Sequence, residues 1–169
     1  MPTIKVRDLA WVRLRAPDLD AQEEFLTHFG LTRAARTPTA LYMRGTDPAH
    51  HIHVTERADD AGFVGFAYHA AAEGDLARVA ATPGASAVEA LDEPGGGRRV
   101  RLREPNGYQI EVVWGLEALP SIPVDYTPMN TGAEPLRRAG TLMRLRKSPT
   151  PIKRIGHGVM GTPRVKETA

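Results

Sequence analysis

The order of predicted elements repeats within the first 114 residues of this 169-residue chain. Alternating patterns and turn residues in the first half predict strands at residues 8–15, 31–36, 40–44 and 51–56, with a helix after the first strand. The second half predicts strands at residues 63–70, 87–91, 98–103 and 108–114, with a helix at 73–81. Each half is a βαβββ unit of about fifty residues, a length typical of internal repeats. We therefore predict an α+β fold with one mixed sheet and helices on one side.

The helix of the first unit has both a start and a stop signal. Pro17 opens it, Asp18 or Asp20 is available as the cap, and Gly30 follows its last turn. Four apolar residues have spacings that predict one buried stripe: Leu19, Phe25, Leu26 and Phe29. We expect this stripe to hold the helix on the sheet.

The pattern changes after residue 114. Residues 115–153 are rich in proline and show neither a helical nor an alternating period, so we predict an irregular, Pro-rich linker. Residues 155–163 then repeat the strand opening of residues 9–17, with His157 in the place of Trp11. This organisation predicts one module at residues 1–114, a linker at 115–153, and the first strand of a second, incomplete module at 154–169.

The composition excludes several classes of protein. Without cysteine there are no disulfides, thiolate metal sites or cysteine nucleophiles. The chain has no apolar run that could span a membrane and no apolar signal core at its start, so we expect a cytoplasmic protein with no membrane partner. The net charge is +2, and arginine clusters at residues 98–99, 137–138 and 144–147 lack interleaved aromatics. We expect solvated or docking surfaces there and no nucleic-acid partner.

Two segments resemble a known superfamily. Residues 103–113, Arg-Glu-Pro-Asn-Gly-Tyr-Gln-Ile-Glu-Val-Val, resemble the closing-strand motif D-P-x-G-x-x-x-E of the vicinal oxygen chelate superfamily, with Glu104 in place of the aspartate. Residues 62–68 are similar to its N-H-I-A-F strand. The superfamily includes glyoxalase I, bleomycin-resistance proteins and type I extradiol dioxygenases. The resemblance implies that the paired βαβββ units form a cupped mixed sheet.

The resemblance also implies where a metal would lie. Extradiol members hold Fe(II) with a histidine from the first strand of each unit and a glutamate from a last strand. The matching positions here are Trp11, Gly65 and Glu111, of which only Glu111 is a ligand type. We therefore expect residues 1–114 to be metal-free, with Trp11 and Phe66 filling the former metal cavity. Glu111 is then a vestigial ligand that pairs with an arginine or lies at a wet cavity mouth; the alternative is a catalytic acid or base.

A run of histidines precedes the last strand of the first unit. At alternate positions, His51 and His53 are expected to share a strand face, which is the spacing of a ligand pair. Glu111 belongs to the corresponding strand of the other unit. Whether His50, His51, His53 and Glu111 form a non-standard metal site stays open at this point, the alternative being hydrogen-bonded structural histidines.

The restarted strand contains one more candidate ligand. Residues 155–160, Ile-Gly-His-Gly-Val-Met, resemble the L-G-H-V-V-L strand that opens the catalytic module of two-module extradiol dioxygenases. The resemblance implies that His157 is the first Fe(II) ligand of the second module. The remaining ligands and the catalytic acid–base residues are expected beyond Ala169. The alternative is a surface histidine on an edge strand.

The resemblance implies that the chain is the N-terminal portion of an Fe(II) extradiol dioxygenase. The complete protein would cleave a catechol-type diol, similar to biphenyl-2,3-diol, with O₂, and the first module would be structural. An exposed sheet edge predicts a homo-oligomer. The alternative is a metal-free, dimeric module that sequesters an apolar ligand in the cup, as bleomycin-resistance proteins do. A glyoxalase-like isomerase is disfavoured because it too needs metal ligands inside the paired units.

Overall fold

Both predicted βαβββ units are present in the structure. The computed structural model describes residues 2–124 and 149–168. The first unit consists of β1 (Val6–Ala16), α1 (Leu19–Phe29), β2 (Thr32–Arg36), β3 (Ala40–Arg44) and β4 (His53–Arg57). The second consists of β5 (Gly62–Ala70), α2 (Gly74–Ala80), β6 (Glu89–Ala90), β7 (Arg98–Arg103) and β8 (Gln109–Trp114). A short helix, α3 (Val165–Thr168), follows near the end of the chain.

The two units share one eight-stranded mixed sheet, in the order β2-β3-β4-β1-β5-β8-β7-β6. Within each unit the first and last strands are parallel neighbours, β1 with β4 and β5 with β8. The units meet at the centre of the sheet, where β1 and β5 run antiparallel. The first strands of the two units therefore lie side by side, with the last strand of each unit on the outer side of its first strand.

Helix α1 forms where its sequence signals predict it. The Asp18 side chain accepts hydrogen bonds from the backbone N–H groups of Asp20 and Ala21, which satisfies two of the unpaired donors at the helix start. Gly30 adopts φ 110° at the other end, a left-handed conformation that glycine adopts without a Cβ clash. Local residues therefore determine both ends of this helix.

The predicted buried stripe of α1 is only half correct. Leu19 and Leu26 are buried against Leu41 and Met43 of β3. Phe25 and Phe29 are exposed instead, at 61% and 58%, and stack on each other with their rings 6.1 Å apart. Leu19 and Leu26 lie two turns apart and point to the sheet, whereas the two phenylalanines lie on the flank of the helix.

The two faces of the sheet have different roles. Leu41 and Met43 belong to the cluster that packs on α1. Tyr42 lies between them along β3 and belongs to a different cluster, together with Trp11 and Val54. Because side chains alternate along a strand, the sheet has a helix face, covered by α1, and an opposite face that we call the cup face.

The segment after the predicted linker docks on the first unit. Backbone N–H groups of Thr46 and Asp47 donate to the carbonyl oxygens of Ile152 and Lys153 at 2.9 and 3.2 Å. A Cβ atom at Gly45 would lie 2.2 Å from the Lys153 carbonyl oxygen, so only glycine lets the two backbones approach this closely. Residues 150–155 are therefore held on the β3–β4 connection through backbone contacts.

Substitution of Gly45 by alanine should release this segment. The new Cβ would clash with the Lys153 carbonyl, so the docked segment must move away from Gly45. That movement breaks the two hydrogen bonds from Thr46 and Asp47. We expect hydrogen exchange of these two amides to rise roughly tenfold or more, because local opening becomes easier. Gly161→Ala is the matched control, since a Cβ there would meet no atom within 4 Å. Unchanged protection in Gly45→Ala would contradict the docked geometry.

The structure describes only part of the segments that follow residue 114. Residues 116–122 lie along the first unit, where Ala118 forms a bridge with Ala49 and the Ile122 N–H donates to the Thr46 carbonyl. Residues 125–148 lie outside the described residues, and so do the basic clusters at 137–138 and 144–147. Residues 154–164 form no strand with the described part of the chain, so the opening strand of a second module stays a prediction. No helix in the described ranges is long and apolar enough to cross a membrane.

Candidate functional site

The candidate site lies on the cup face where β1, β5 and β8 run side by side. The register places Trp11 opposite Ala67, and Ala67 opposite Glu111. One step along, Arg13 lies opposite Gly65, and Gly65 opposite Gln109. Two of the three predicted ligand positions, Trp11 and Glu111, therefore share a row, whereas Gly65 lies in the neighbouring row with Arg13.

Glu111 is almost completely buried, at 1% exposed, and its carboxylate is fully engaged. Its Oε1 accepts from Arg13 Nε and from Gln109 Nε2, both at 2.8 Å. Its Oε2 accepts from Arg99 Nη1 at 3.3 Å. A buried carboxylate needs such donors to remain charged. Glu111 was expected either to pair with an arginine or to lie at a wet cavity mouth. The structure shows the first of these environments, with Arg13 and Arg99 as the partners.

Arg13 is the centre of this charge network. Besides Glu111, its guanidinium donates to Glu56 Oε1 at 2.7 Å and to Glu93 Oε2 at 3.0 Å. The side chain is only 3% exposed, so one buried guanidinium bonds three carboxylates. Burial by itself lowers the pKa of Arg13, but the carboxylates of Glu111 and Glu93 outweigh it and hold the pKa above its ordinary value. Arg13 is therefore charged at every accessible pH.

A second arginine links the same carboxylates to β6. Arg99 Nη1 donates to Glu93 Oε1 at 2.8 Å, and Arg99 Nε donates to Glu89 Oε1 at the same distance. The hydrogen bond from Arg99, together with one from Arg101, lowers the pKa of Glu89. Since Arg13 and Arg99 share Glu93 and Glu111, the two guanidinium groups form one continuous network across the cup face.

This site does not fit a metal ion. Trp11 offers no ligand atom, and a Cβ at Gly65 would lie 1.7 Å from the backbone oxygen of Gln109, so no ligating side chain fits there on this backbone. The Glu111 carboxylate is occupied by guanidinium and amide donors. Across residues 2–124 and 149–168, no group of three or more His, Asp or Glu side chains is arranged to hold a metal.

The expectation that His51 and His53 share a strand face is wrong, because the two rings lie on different faces of the sheet. His51 lies on the cup face, with its ring 4.7 Å from that of Trp11 and 5.2 Å from that of Tyr42. His53 pairs with Met43 of β3, which faces α1, and its Nδ1 lies 3.4 Å from the Thr55 hydroxyl. The chain bends at Ile52, before β4 begins, so alternation cannot be counted through it. His51 and His53 are therefore not a ligand pair, and Glu111 bonds arginines instead.

Phe66 does not fill the cup as predicted. It pairs with Val12 and Ile110, one residue away from the row that contains Trp11, Ala67 and Glu111, so it faces the helix side. Its ring contacts that of Phe63 at 4.9 Å and lies against Gly158 of the docked segment. Trp11 alone of the predicted pair lies on the cup face.

His157 lies apart from the cup. Its side chain is exposed, between Ile155, which packs on the first unit, and Gly158, which lies on the Phe66 ring. It belongs to no group of potential metal ligands within the described residues. His157 is thus presented at the surface by a segment held on either side.

Sequence reasoning missed the residues that dominate the site: Arg13, Glu56, Glu93 and Arg99. Arg13 had an available signal, because it is two residues after Trp11 on the same strand and therefore shares its face. The partners of Arg13 had no such signal in the sequence. Glu93, for example, lies in a glycine-rich turn and reaches Arg13 only in the folded chain.

Solved structures with this fold include a metalloenzyme and ring-cleaving dioxygenases. The Mn(II)-bound glyoxalase from Novosphingobium aromaticivorans has a TM-score of 0.66 at 22% identity, over 72% of this chain and 43% of that chain. Homoprotocatechuate 2,3-dioxygenase from Brevibacterium fuscum, in complex with 3,4-dihydroxyphenylacetate, has 0.64 at 19% identity, over 71% and 40%. The 2,3-dioxygenase LapB from Pseudomonas sp. KL28 has 0.63 at 19% identity, over 78% and 49%.

These similarities confirm the predicted fold, that of glyoxalases and extradiol dioxygenases. The chain spans less than half the length of each of these three proteins. No protein-family model and no curated protein matches the sequence.

Proposed function

We propose that this chain is the N-terminal portion of a two-module Fe(II) extradiol dioxygenase, in which residues 1–114 are a metal-free structural module. The observation that carries this is the pairing of Glu111 with Arg13 and Arg99. The closing strand keeps a buried carboxylate, and guanidinium groups supply the positive charge that it needs. A module with its own internal cations folds without a metal and is suited to support a catalytic module.

His157 is assigned as the first iron ligand of the second module. Its exposure on a segment held by Ile155 and Gly158 supports this, because the imidazole is free to take part in a site built by further chain. Two other protein ligands and the acid–base residues are expected beyond Ala169. When bound, the iron supplies the chemistry for opening a catechol-type ring, such as that of biphenyl-2,3-diol, with O₂.

In this assignment, the role of residues 1–114 is structural: the module packs against the second module. The cup face is stiffened by the network around Arg13, and the helix face is covered by α1 and the docked segment. The module would then hold the second module in place and contribute contacts between copies of the chain in a homo-oligomer.

Iron content of the natural gene product tests the assignment. We expect about one iron per chain and ring cleavage of 2,3-dihydroxybiphenyl, with both lost in His157→Ala because a three-ligand site does not retain Fe(II) with one ligand missing. His28→Ala is the matched control, since His28 is exposed on α1 and far along the chain from His157. The 169-residue chain by itself is expected to bind neither Fe(II) nor Mn(II) stoichiometrically.

An iron-free natural product, or one whose iron survives His157→Ala, would overturn the dioxygenase assignment. The first outcome would favour the second candidate, a metal-free module that binds a small molecule. A cavity separate from the Arg13 network favours that candidate, and its volume of about 580 Å³ is large enough for such a ligand.

A further inference from the structure

The docked segment, residues 150–164, crosses the helix face of the sheet from one unit to the other. It starts on the first unit, where the Ile152 N–H donates to the Gly30 carbonyl at 3.2 Å. It ends on the second unit, where the Thr162 hydroxyl accepts a hydrogen bond from the Asn106 side-chain amide at 2.6 Å. Asn106 lies in the turn between β7 and β8. The segment therefore contacts both units of the sheet.

Two isoleucines hold the first part of this segment. Ile152 and Ile155 pack on the cluster between α1 and β3 that contains Leu26 and Met43. Such packing is favourable because it removes apolar surface from water. Val159, in the same segment, is 91% exposed. Some side chains of the segment thus face the sheet while others face the solvent.

A glycine lets the middle of the segment approach the sheet. A Cβ atom at Gly158 would lie 2.8 Å from two carbon atoms of the Phe66 ring. This ring belongs to a row with Phe63 and Tyr108, in which neighbouring rings are 4.9 and 5.0 Å apart. The backbone at Gly158 therefore lies on an aromatic surface that a larger residue could not approach as closely.

The contacts of the segment recur at a short, regular spacing. Ile152, Ile155 and Gly158 are three residues apart, and Thr162 follows after four. Residues 149–162 form neither helix nor strand. Three residues per turn is the period of the polyproline II conformation, in which every third residue lies on the same side. Aromatic-lined grooves recognise peptides of this kind.

Opposite charges accompany these contacts. Lys153 Nζ lies 4.0 Å from the Asp47 carboxylate, and Arg154 Nη1 lies 3.8 Å from the Asp8 carboxylate. All four side chains are partly or largely exposed, so each pair contributes little to stability. The pairs do match the basic part of the segment to acidic groups on the sheet, which favours one placement of the segment over others.

We propose that the helix face is a docking surface for an extended peptide segment and that residues 150–164 are its occupant, bound through sequence-specific contacts. The contacts require two apolar side chains three residues apart, a glycine three residues later, and a hydroxyl four residues after that. The surface then binds this segment even when it is supplied as a separate peptide. The proposal does not depend on the ring-cleavage assignment, because iron takes no part in it.

Cutting the folded chain tests this surface. A recognition sequence for a site-specific protease, inserted between Asn130 and Thr131, separates the two parts after the full chain has folded. We expect the C-terminal fragment to stay bound through size-exclusion chromatography. A labelled peptide of residues 149–166 should exchange with it and bind saturably in fluorescence anisotropy.

Two outcomes of this experiment would overturn the proposal. One is separation of the fragments, or a labelled peptide that does not bind. The other is a fragment that stays bound only in a dimer and is lost when the dimer is diluted to monomers, because a second copy of the chain would then be the occupant.

Matched substitutions in the peptide test the recognition pattern and leave the folding of the protein unaffected. Ile155→Ser should weaken binding roughly tenfold or more, because it loses apolar contact, whereas Val159→Ser changes an exposed position and should not. Gly158→Val should weaken binding similarly through its clash with Phe66. Gly156→Val is its control, since a Cβ there would meet no atom within 4 Å. Equal binding within either pair of variants would contradict the proposed contacts.

Discussion

Arg13→Gln is expected to lower the free energy of unfolding by about 3–5 kcal/mol, the range for breaking a buried ion pair by removing one partner. The guanidinium of Arg13 bonds Glu56, Glu93 and Glu111, and the last of these is 1% exposed. Without Arg13, the cationic partner that Glu111 keeps among the described residues is Arg99, at the longer distance of 3.3 Å. Urea unfolding of the variant and the unchanged chain, at the same pH and salt, measures the difference.

Arg15→Gln is the matched control, because Arg15 is on the same strand but pairs with Asp60 at the surface. Such exposed pairs contribute about 0–1 kcal/mol, so this variant should unfold almost like the unchanged chain. A double variant, Arg13→Met with Glu111→Leu, should recover part of the loss, since it removes the unpaired buried charge together with its partner. Equal stability of Arg13→Gln and Arg15→Gln would show that the network contributes little.

Stability is expected to fall by about 4 kcal/mol between pH 7 and 5 through His51 and His53 together, about 2 kcal/mol from each. Burial lowers the pKa of His51 to about 3 and that of His53 to about 4 in the folded protein. In the unfolded chain both have the ordinary pKa near 6.5. Below that pH the unfolded chain binds protons that the folded chain does not, so the free energy of unfolding falls as the pH falls.

Urea midpoints measured at steps from pH 7.5 to 5 check this window, which lies above the ordinary range in which carboxylates titrate. His53→Leu should lose the part of the pH dependence that comes from His53, about 2 kcal/mol between pH 7 and 5. His50 and His69 also have pKa values lowered by burial and act in the same direction. A pH-independent stability over this range would mean that these imidazoles accept protons in the folded state.

The exposed aromatic pair of α1 shows what a local pattern leaves undetermined. Helical spacing predicts one stripe from Leu19 to Phe29, but the sheet contacts only a strip wide enough for Leu19 and Leu26. Which side of an apolar helix is buried depends on the direction from which the sheet packs on it, and helical spacing alone does not contain that direction.

What the sequence by itself determined are the features set by near neighbours. The alternation of apolar residues and the turn residues place the strands, and the Asp18 cap and Gly30 place α1. The repeat of this order of elements implies the paired units of the mixed sheet. Each of these follows from interactions a few residues apart, which a pattern in the sequence reports directly. Glu111 was singled out differently, by the resemblance of residues 103–113 to a superfamily motif.

Only the tertiary structure decided what Glu111 does. Arg13 is 98 residues away from it along the chain and reaches it because β1 and β8 both pair with β5. The bend at Ile52 likewise separates His51 from His53 and places His51 beside Trp11. Register, bends and the packing of distant segments depend on the whole fold, and they determine which charged groups pair with each other. The pairing of Arg13 with Glu111 could therefore be found only in the tertiary structure.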